Sequence, residues 1–171
     1  LNVKLKIKQH LAQKKRTAMV LLDIEKAFDT VWIDGLIHKM INIGISTYLI
    51  KIIHSYLSNR SFKVHLSKNT TSFQHAVTAG VPQGSVLGPL LFLLYFHDLP
   101  QHPHTSMSMF ADDTCIYSTH EDQTVATRHL QEHLNSLSVY FKKWKVRINP
   151  SKCESILFTN NRRTQLDPPL N

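Results

Sequence analysis

Two short apolar-rich runs, Met107 to Phe110 and Cys115 to Ser118, flank the adjacent carboxylates Asp112 and Asp113. This arrangement predicts a β-hairpin whose turn carries both acids. Like charges side by side repel, so folding alone does not call for them unless a cation or a basic partner sits opposite. A tight turn bearing paired carboxylates is well suited to Mg²⁺, a hard cation that takes oxygen ligands in near-octahedral geometry. Local turn chemistry explains the same pair without any function, because Asp hydrogen-bonds its own backbone in turns. On the pair alone, both explanations stand.

The chain has 171 residues, enough for about one domain with a real core. Hydrophobic residues make up 42% and Gly only 5, which excludes a disordered or fibrous protein. The longest apolar stretch, Pro89 to Phe96, is far too short to span a bilayer, and Leu1 to Lys15 has no signal-peptide pattern. An intracellular protein without a membrane partner is therefore expected, the choice of nucleus or cytoplasm being open. With 20 basic against 12 acidic residues the net charge is +8. That excess favours a polyanionic partner, nucleic acid ahead of an anionic membrane, although solubility alone also accounts for it. Cys115 and Cys153 are expected to be buried free thiols within strands. The 11 histidines occur singly, without metal-ligand spacing, and are expected to be surface or structural groups.

Along the chain, Leu1 to Lys15 fits a basic helix better than a strand, although Val3, Leu5 and Ile7 alternate. Thr17 to Leu22 reads as a buried strand ending on Asp23. Asp34 is expected to cap a helix from Gly35 to Ile43, stopped by Gly44, and Ser46 to cap the next. Phe62, Val64 and Leu66, with Phe73 and Val77 beyond Lys68-Asn69, suggest a second hairpin. A loop from Gly80 to Gly88 leads into an apolar helix, Pro89 to Phe96. Val125, Leu130, Leu134, Leu137, Phe141 and Trp144 keep helical spacing from Asp122 to Trp144. Asn149 to Lys152 is a turn, and Ser155 to Phe158 a last strand. Strands and helices interleave, giving a mixed α and β fold.

Asp23 stands 89 residues before Asp112, each on a strand-like element. Capping of the following helix is one explanation of Asp23. Convergence is the other: if the strands are neighbours, three carboxylates meet and bind divalent metal. Two such ions activate an attacking hydroxyl and stabilise the leaving oxygen in phosphoryl or nucleotidyl transfer. Ala79 to Pro89 contains three glycines and two prolines, a backbone able to approach a ligand closely. Its Gln83 is a two-way hydrogen-bonder suited to a sugar or base edge.

Leu21-Leu22-Asp23-Ile24-Glu25-Lys26-Ala27-Phe28-Asp29, then Ala79-Gly80-Val81-Pro82-Gln83-Gly84-Ser85-Val86-Leu87-Gly88-Pro89, then Phe110-Ala111-Asp112-Asp113 resemble motifs A, B and C of reverse transcriptases. Asn149-Pro150-Ser151-Lys152 with Ile156-Leu157-Phe158 resembles motif D. The similarity is to the non-long-terminal-repeat (LINE-type, Jockey-like) retrotransposon enzymes and runs from about Thr17 to Thr159. It implies an α+β polymerase palm, an antiparallel sheet packed against helices, with partial fingers elements and no thumb. The implied division is a basic N-terminal segment, 1–16, a palm with partial fingers, 17–159, and a polar tail, 160–171. The implied activity is RNA-directed DNA polymerisation, with an RNA template, a DNA primer, dNTP and two Mg²⁺ ions, Mn²⁺ being able to substitute. Asp23, Asp112, Asp113 and the Ile24 carbonyl are the implied metal ligands. Phe28 matches a steric gate against a 2′-OH, although an aromatic at that spacing also suits a core. Gln83 and Gly84 match residues lining the incoming nucleotide and template, Lys152 a proton donor to the leaving pyrophosphate or a charge partner for it, and Arg60 a template-backbone contact.

The upstream fingers motifs and the thumb of that family have no counterpart in this sequence, so an isolated chain is expected to be weakly active, a fragment or truncated element-derived protein. A non-catalytic nucleic-acid-binding or scaffold remnant is the rival reading. An RNA-copying polymerase is a third, opposed by Phe28 and by Phe-Ala-Asp-Asp in place of Gly-Asp-Asp.

Overall fold

A computed structural model describes residues 3–67, 70–110 and 113–160. Asp112, the expected Lys68-Asn69 turn and the tail from residue 161 lie outside them. The chain divides into two compact units, one formed by residues up to Glu25 together with those from Leu99 onward, the other by Lys26–Asp98.

The first unit is built on an antiparallel four-stranded sheet. Its strands are β1 (Arg16–Asp23), β6 (Ser106–Phe110), β7 (Asp113–His120) and β8 (Glu154–Phe158), in the order β6-β7-β1-β8. Strand β1 reads as a continuous apolar run because both its faces are covered. Met19 and its cross-strand partner Tyr117 pack against Ile7 of helix α1 (Val3–Ala12). Val20 and Leu22 face the other way, toward Leu137 and Phe141 of helix α5 (Gln123–Lys143). The N-terminal segment is thus the helix expected of it, held by one apolar stripe while Lys4 and Lys8 stay exposed. Helix α5 matches its periodicity: Asp122 caps it by accepting the Thr124 N–H at 2.9 Å, and Lys142 and Lys143 complement the dipole in its last turn. Full burial of Leu130 and Leu137 fixes its rotation.

Within the second unit lie α2 (Ile33–Asn42), α3 (Thr47–Leu57), four short strands and α4 (Leu87–Tyr95). Asp34 does not cap α2. The helix starts earlier, Trp32 takes the capping position, and Asp34, in the first turn, accepts the Trp32 indole N–H at 3.2 Å. Ser46 does cap α3, accepting the Leu49 N–H at 3.5 Å. The expected second hairpin is broken in two: β2 (Arg60–Phe62) pairs with β5 (His75–Val77), and β3 (His65–Ser67) with β4 (Thr70–Thr71). Phe73 falls between strands and is exposed.

The thiols also differ from expectation. Cys115 lies in β7 but is only half-buried, and Cys153 precedes β8 and is half-buried too; both are free. Among the described residues no helix is long and apolar enough to cross a membrane.

Candidate active site

Asp23 ends β1 and Asp113 begins β7, and the two are direct cross-strand partners. Asp113 is therefore a strand residue and not, as expected, part of the turn. Phe110 pairs with it from β6. Facing partners on antiparallel strands have Cβ atoms about 4.5–5.5 Å apart on the same face. Two carboxylates at that distance repel, and a metal or a cationic group opposite relieves the repulsion.

Lys152 supplies one such charge: its Nζ lies 3.9 Å from Asp23 Oδ1, with 67% of the lysine and 32% of the aspartate side chain exposed. Backbone pairing puts it there. Glu25 N–H donates to Arg147 O at 2.8 Å, and Asn149 N–H to Asp23 O at 2.9 Å. These two bonds make Ile24 and Ile148 the non-hydrogen-bonded pair of an antiparallel bridge. The Ile24 carbonyl accordingly points away from Ile148, to the β7 side of the strand. A 3-10 turn over Pro150–Lys152 follows, its Ser151 hydroxyl donating to Asn149 Oδ1 at 2.7 Å.

The second unit holds the other expected residues. Phe28 is half-buried, its ring stacked on Phe92 of α4 at 4.7 Å between centroids, so its orientation is fixed by packing. The Gly80 to Gly84 loop is laced to the segment after Phe28: Val81 N–H donates to Phe28 O and Gly80 N–H to Val31 O, both at 2.8 Å. Gly80 is required there, since its φ is +85° and a Cβ would stand 2.7 Å from Asp29 O. Gly84 also has positive φ, +77°, with open space around it. Gln83 is exposed and donates from Nε2 to Asp29 Oδ1 at 2.9 Å. Arg60 is turned inward: its Nε donates to Leu57 O at 3.0 Å, and its guanidinium holds the carbonyls of Ala79, at 3.0 Å, and Gly80.

Three features escaped sequence reasoning. Asp29 was passed over, although its carboxylate partners Gln83. Lys39 is 1% exposed and donates to Tyr95 O at 2.6 Å and Asp98 Oδ1 at 2.5 Å, an ion pair invisible to helical periodicity. Burial pushes the neighbouring Tyr95 phenol up to about 12. The singly spaced histidines also meet: His104 stacks on His129 at 4.4 Å, His102 on His133 at 5.9 Å, and His133 accepts from the Thr105 hydroxyl at 2.6 Å while its other nitrogen meets Pro100 O at 2.9 Å. Burial holds the His133 and His129 imidazoles below the usual histidine range. Among the described residues no group of three His, Cys, Asp or Glu side chains is arranged to hold a metal ion; the expected triad requires Asp112, which lies outside them.

An antiparallel sheet backed by helices, with facing carboxylates where its two central strands meet a hairpin end, defines a polymerase palm. Residues 3–166 match the reverse transcriptase (RNA-dependent DNA polymerase) family, and the chain belongs to it. It is 39% identical over 154 residues to a probable RNA-directed DNA polymerase from transposon X-element of Drosophila melanogaster, an alignment covering 87% of this chain and 16% of that protein. To the RNA-directed DNA polymerase from mobile element jockey of the same species it is 35% identical, over 88% of this chain and 17% of that protein. The chain therefore spans under a fifth of either relative. Its fold is similar to that of telomerase from Candida tropicalis, with a TM-score of 0.66 at 16% identity, covering 92% of this chain and 34% of that one. Reverse transcriptase domains bind an RNA template and a primer and generally use divalent metal ions.

Proposed function

We propose that this chain is the palm, with part of the fingers, of a Jockey-like retrotransposon polymerase that adds dNTP to a primer 3′-OH on an RNA template. The observation that carries this is the register pairing of Asp23 with Asp113. An oxygen-only donor set with net negative charge fits Mg²⁺ or Mn²⁺. Asp23, Asp112, Asp113 and the Ile24 carbonyl would hold two such ions, a role supported for Ile24 by the direction of its carbonyl. Ions bound there supply charge neutralisation on the phosphates and a more acidic attacking hydroxyl.

The chain's own residues do the rest. Lys152, on an exposed stem beside Asp23, protonates or pairs with the departing pyrophosphate. Phe28, braced on Phe92, stands under the sugar and excludes a 2′-OH. Gln83 and Gly84 line the nucleotide. Arg60 serves the template through the loop whose carbonyls it grips. Residues 1–16 form a basic segment, 17–159 the palm with partial fingers and 160–171 a polar tail; fingers and thumb segments complete the grip on nucleic acid.

The test is Mg²⁺-dependent primer extension on an RNA template by the chain joined to fingers and thumb segments of a jockey-type relative. Extension that falls to background in Asp23→Asn and in Asp112→Asn is expected. Undiminished extension by either variant contradicts the assigned roles.

A further inference from the structure

The strip after Phe28 and the Gly80–Gln83 loop are held together at several points. Val81 N–H to Phe28 O and Gly80 N–H to Val31 O flank Asp29 on both sides. Asp29 N–H is itself tied to Lys26 O at 2.8 Å, and the missing side chain of Gly80 admits the Asp29 backbone. Arg60 clamps the loop through the carbonyls of Ala79 and Gly80. These ties hold the two backbone segments side by side, and across them Gln83 Nε2 donates to Asp29 Oδ1 at 2.9 Å. Both line a recess of about 440 Å³, with Arg60, Phe62, Val81 and Pro82 among its other walls. That volume falls in the range of small-ligand sites.

A glutamine amide offers two donors at one end and an acceptor at the other, whereas a carboxylate only accepts. Beside Asp29 the amide has one satisfactory orientation: NH₂ toward the carboxylate, Oε1 outward. We propose that Asp29 is a positioning residue that fixes the Gln83 amide with its carbonyl directed outward, so that Gln83 recognises a hydrogen-bond donor of a bound nucleotide. This rests on the reading of Gln83 as a nucleotide-lining residue. It adds the polarity of the contact and names the residue that sets it.

Two arms on the full chain test it. In the nucleotide-free protein, ¹⁵N spectra follow the side-chain NH₂ of Gln83. One proton bonded to a carboxylate is shifted from the position of a free glutamine, and Asp29→Leu returns it there. A free-glutamine position in the unaltered chain, or no movement in the variant, overturns the proposal. In the second arm, affinity is measured with Mg²⁺ for dATP, for its 3′-deoxy analogue and for the purine analogue lacking the 6-amino group. Each analogue removes one donor. The unaltered chain loses about 2- to 10-fold in affinity with one of them, the range expected for a single neutral hydrogen bond. In Asp29→Asn, where the amide can turn over, the loss shrinks below about twofold. Equal affinity for all three by the unaltered chain, or the same loss in Asp29→Asn, overturns the proposal. If Gln83 gives the bound-proton signature but no nucleotide binds, the nucleotide-site reading fails while the orienting role of Asp29 is upheld.

Discussion

Changing Asp113 to Asn should stabilise this protein when no metal is bound. Asp113 and Asp23 face each other across β7 and β1, a relation that sets their Cβ atoms about 5 Å apart. Two like unit charges at that distance repel by about 0.8 kcal/mol in water and about 3 kcal/mol at an effective dielectric near 20. Asp113 is exposed and Asp23 keeps 32% of its side chain in solvent, which puts the cost near the lower figure, about 1 kcal/mol. Lys152 offsets about 0.3 kcal/mol of it, the small contribution of an exposed pair. Removing one charge at constant shape then gains about 0.5–1 kcal/mol, a rise of about 1–4 °C in the thermal midpoint of a chain this size. Thermal unfolding in EDTA at low salt measures it. Near 1 M NaCl the Debye length, about 3 Å, is shorter than the separation, and the gain should disappear. Mg²⁺ should raise the midpoint of the unaltered chain more than that of Asp113→Asn. A variant less stable than the parent in EDTA, or a gain indifferent to salt, refutes the reasoning.

Two further outcomes are expected. Asp98→Asn removes the Asp98 charge from beside the buried Lys39 ammonium and should cost about 2–4 kcal/mol in urea unfolding, more than Lys39→Met, at about 1–2 kcal/mol, because the Asp98 carboxylate that remains is 39% exposed and can be solvated; the opposite order refutes the account. The His133 imidazole is held below its ordinary value chiefly by burial, against the Pro100 carbonyl bond that favours the charged form. The unfolded chain therefore binds more protons below about pH 6.5, so stability should be full above that value and fall as the pH drops toward the folded value, by at most about 1.4 kcal/mol per pH unit for this group. A thermal midpoint equally pH-dependent in His133→Gln contradicts it.

Elements whose signal is local were legible from residue order. Helix α5 carries its stripe in every turn, and β1 combines an apolar run with a terminal acid. Asp34 misled because an acid in the first turn resembles a cap two positions away; the helix starts at Ile33, with Trp32 in the capping position. The second hairpin was legible as pairing but not as two separate ribbons. Arg60 enters the sequence reading only as a template-backbone contact, and nothing local marks that the carbonyls of Ala79 and Gly80, 19 and 20 positions away, take its guanidinium.

Residue order by itself determined the motifs, the strand that ends in Asp23 and the chemical character of the groups available, because side-chain type and short-range periodicity are properties of the chain. Tertiary structure alone decided which carboxylates face each other, that Lys152 sits beside Asp23, that Asp29 holds Gln83, and that scattered histidines stack. Strand register and packing impose those partners across long separations in the chain, and local periodicity carries no record of them.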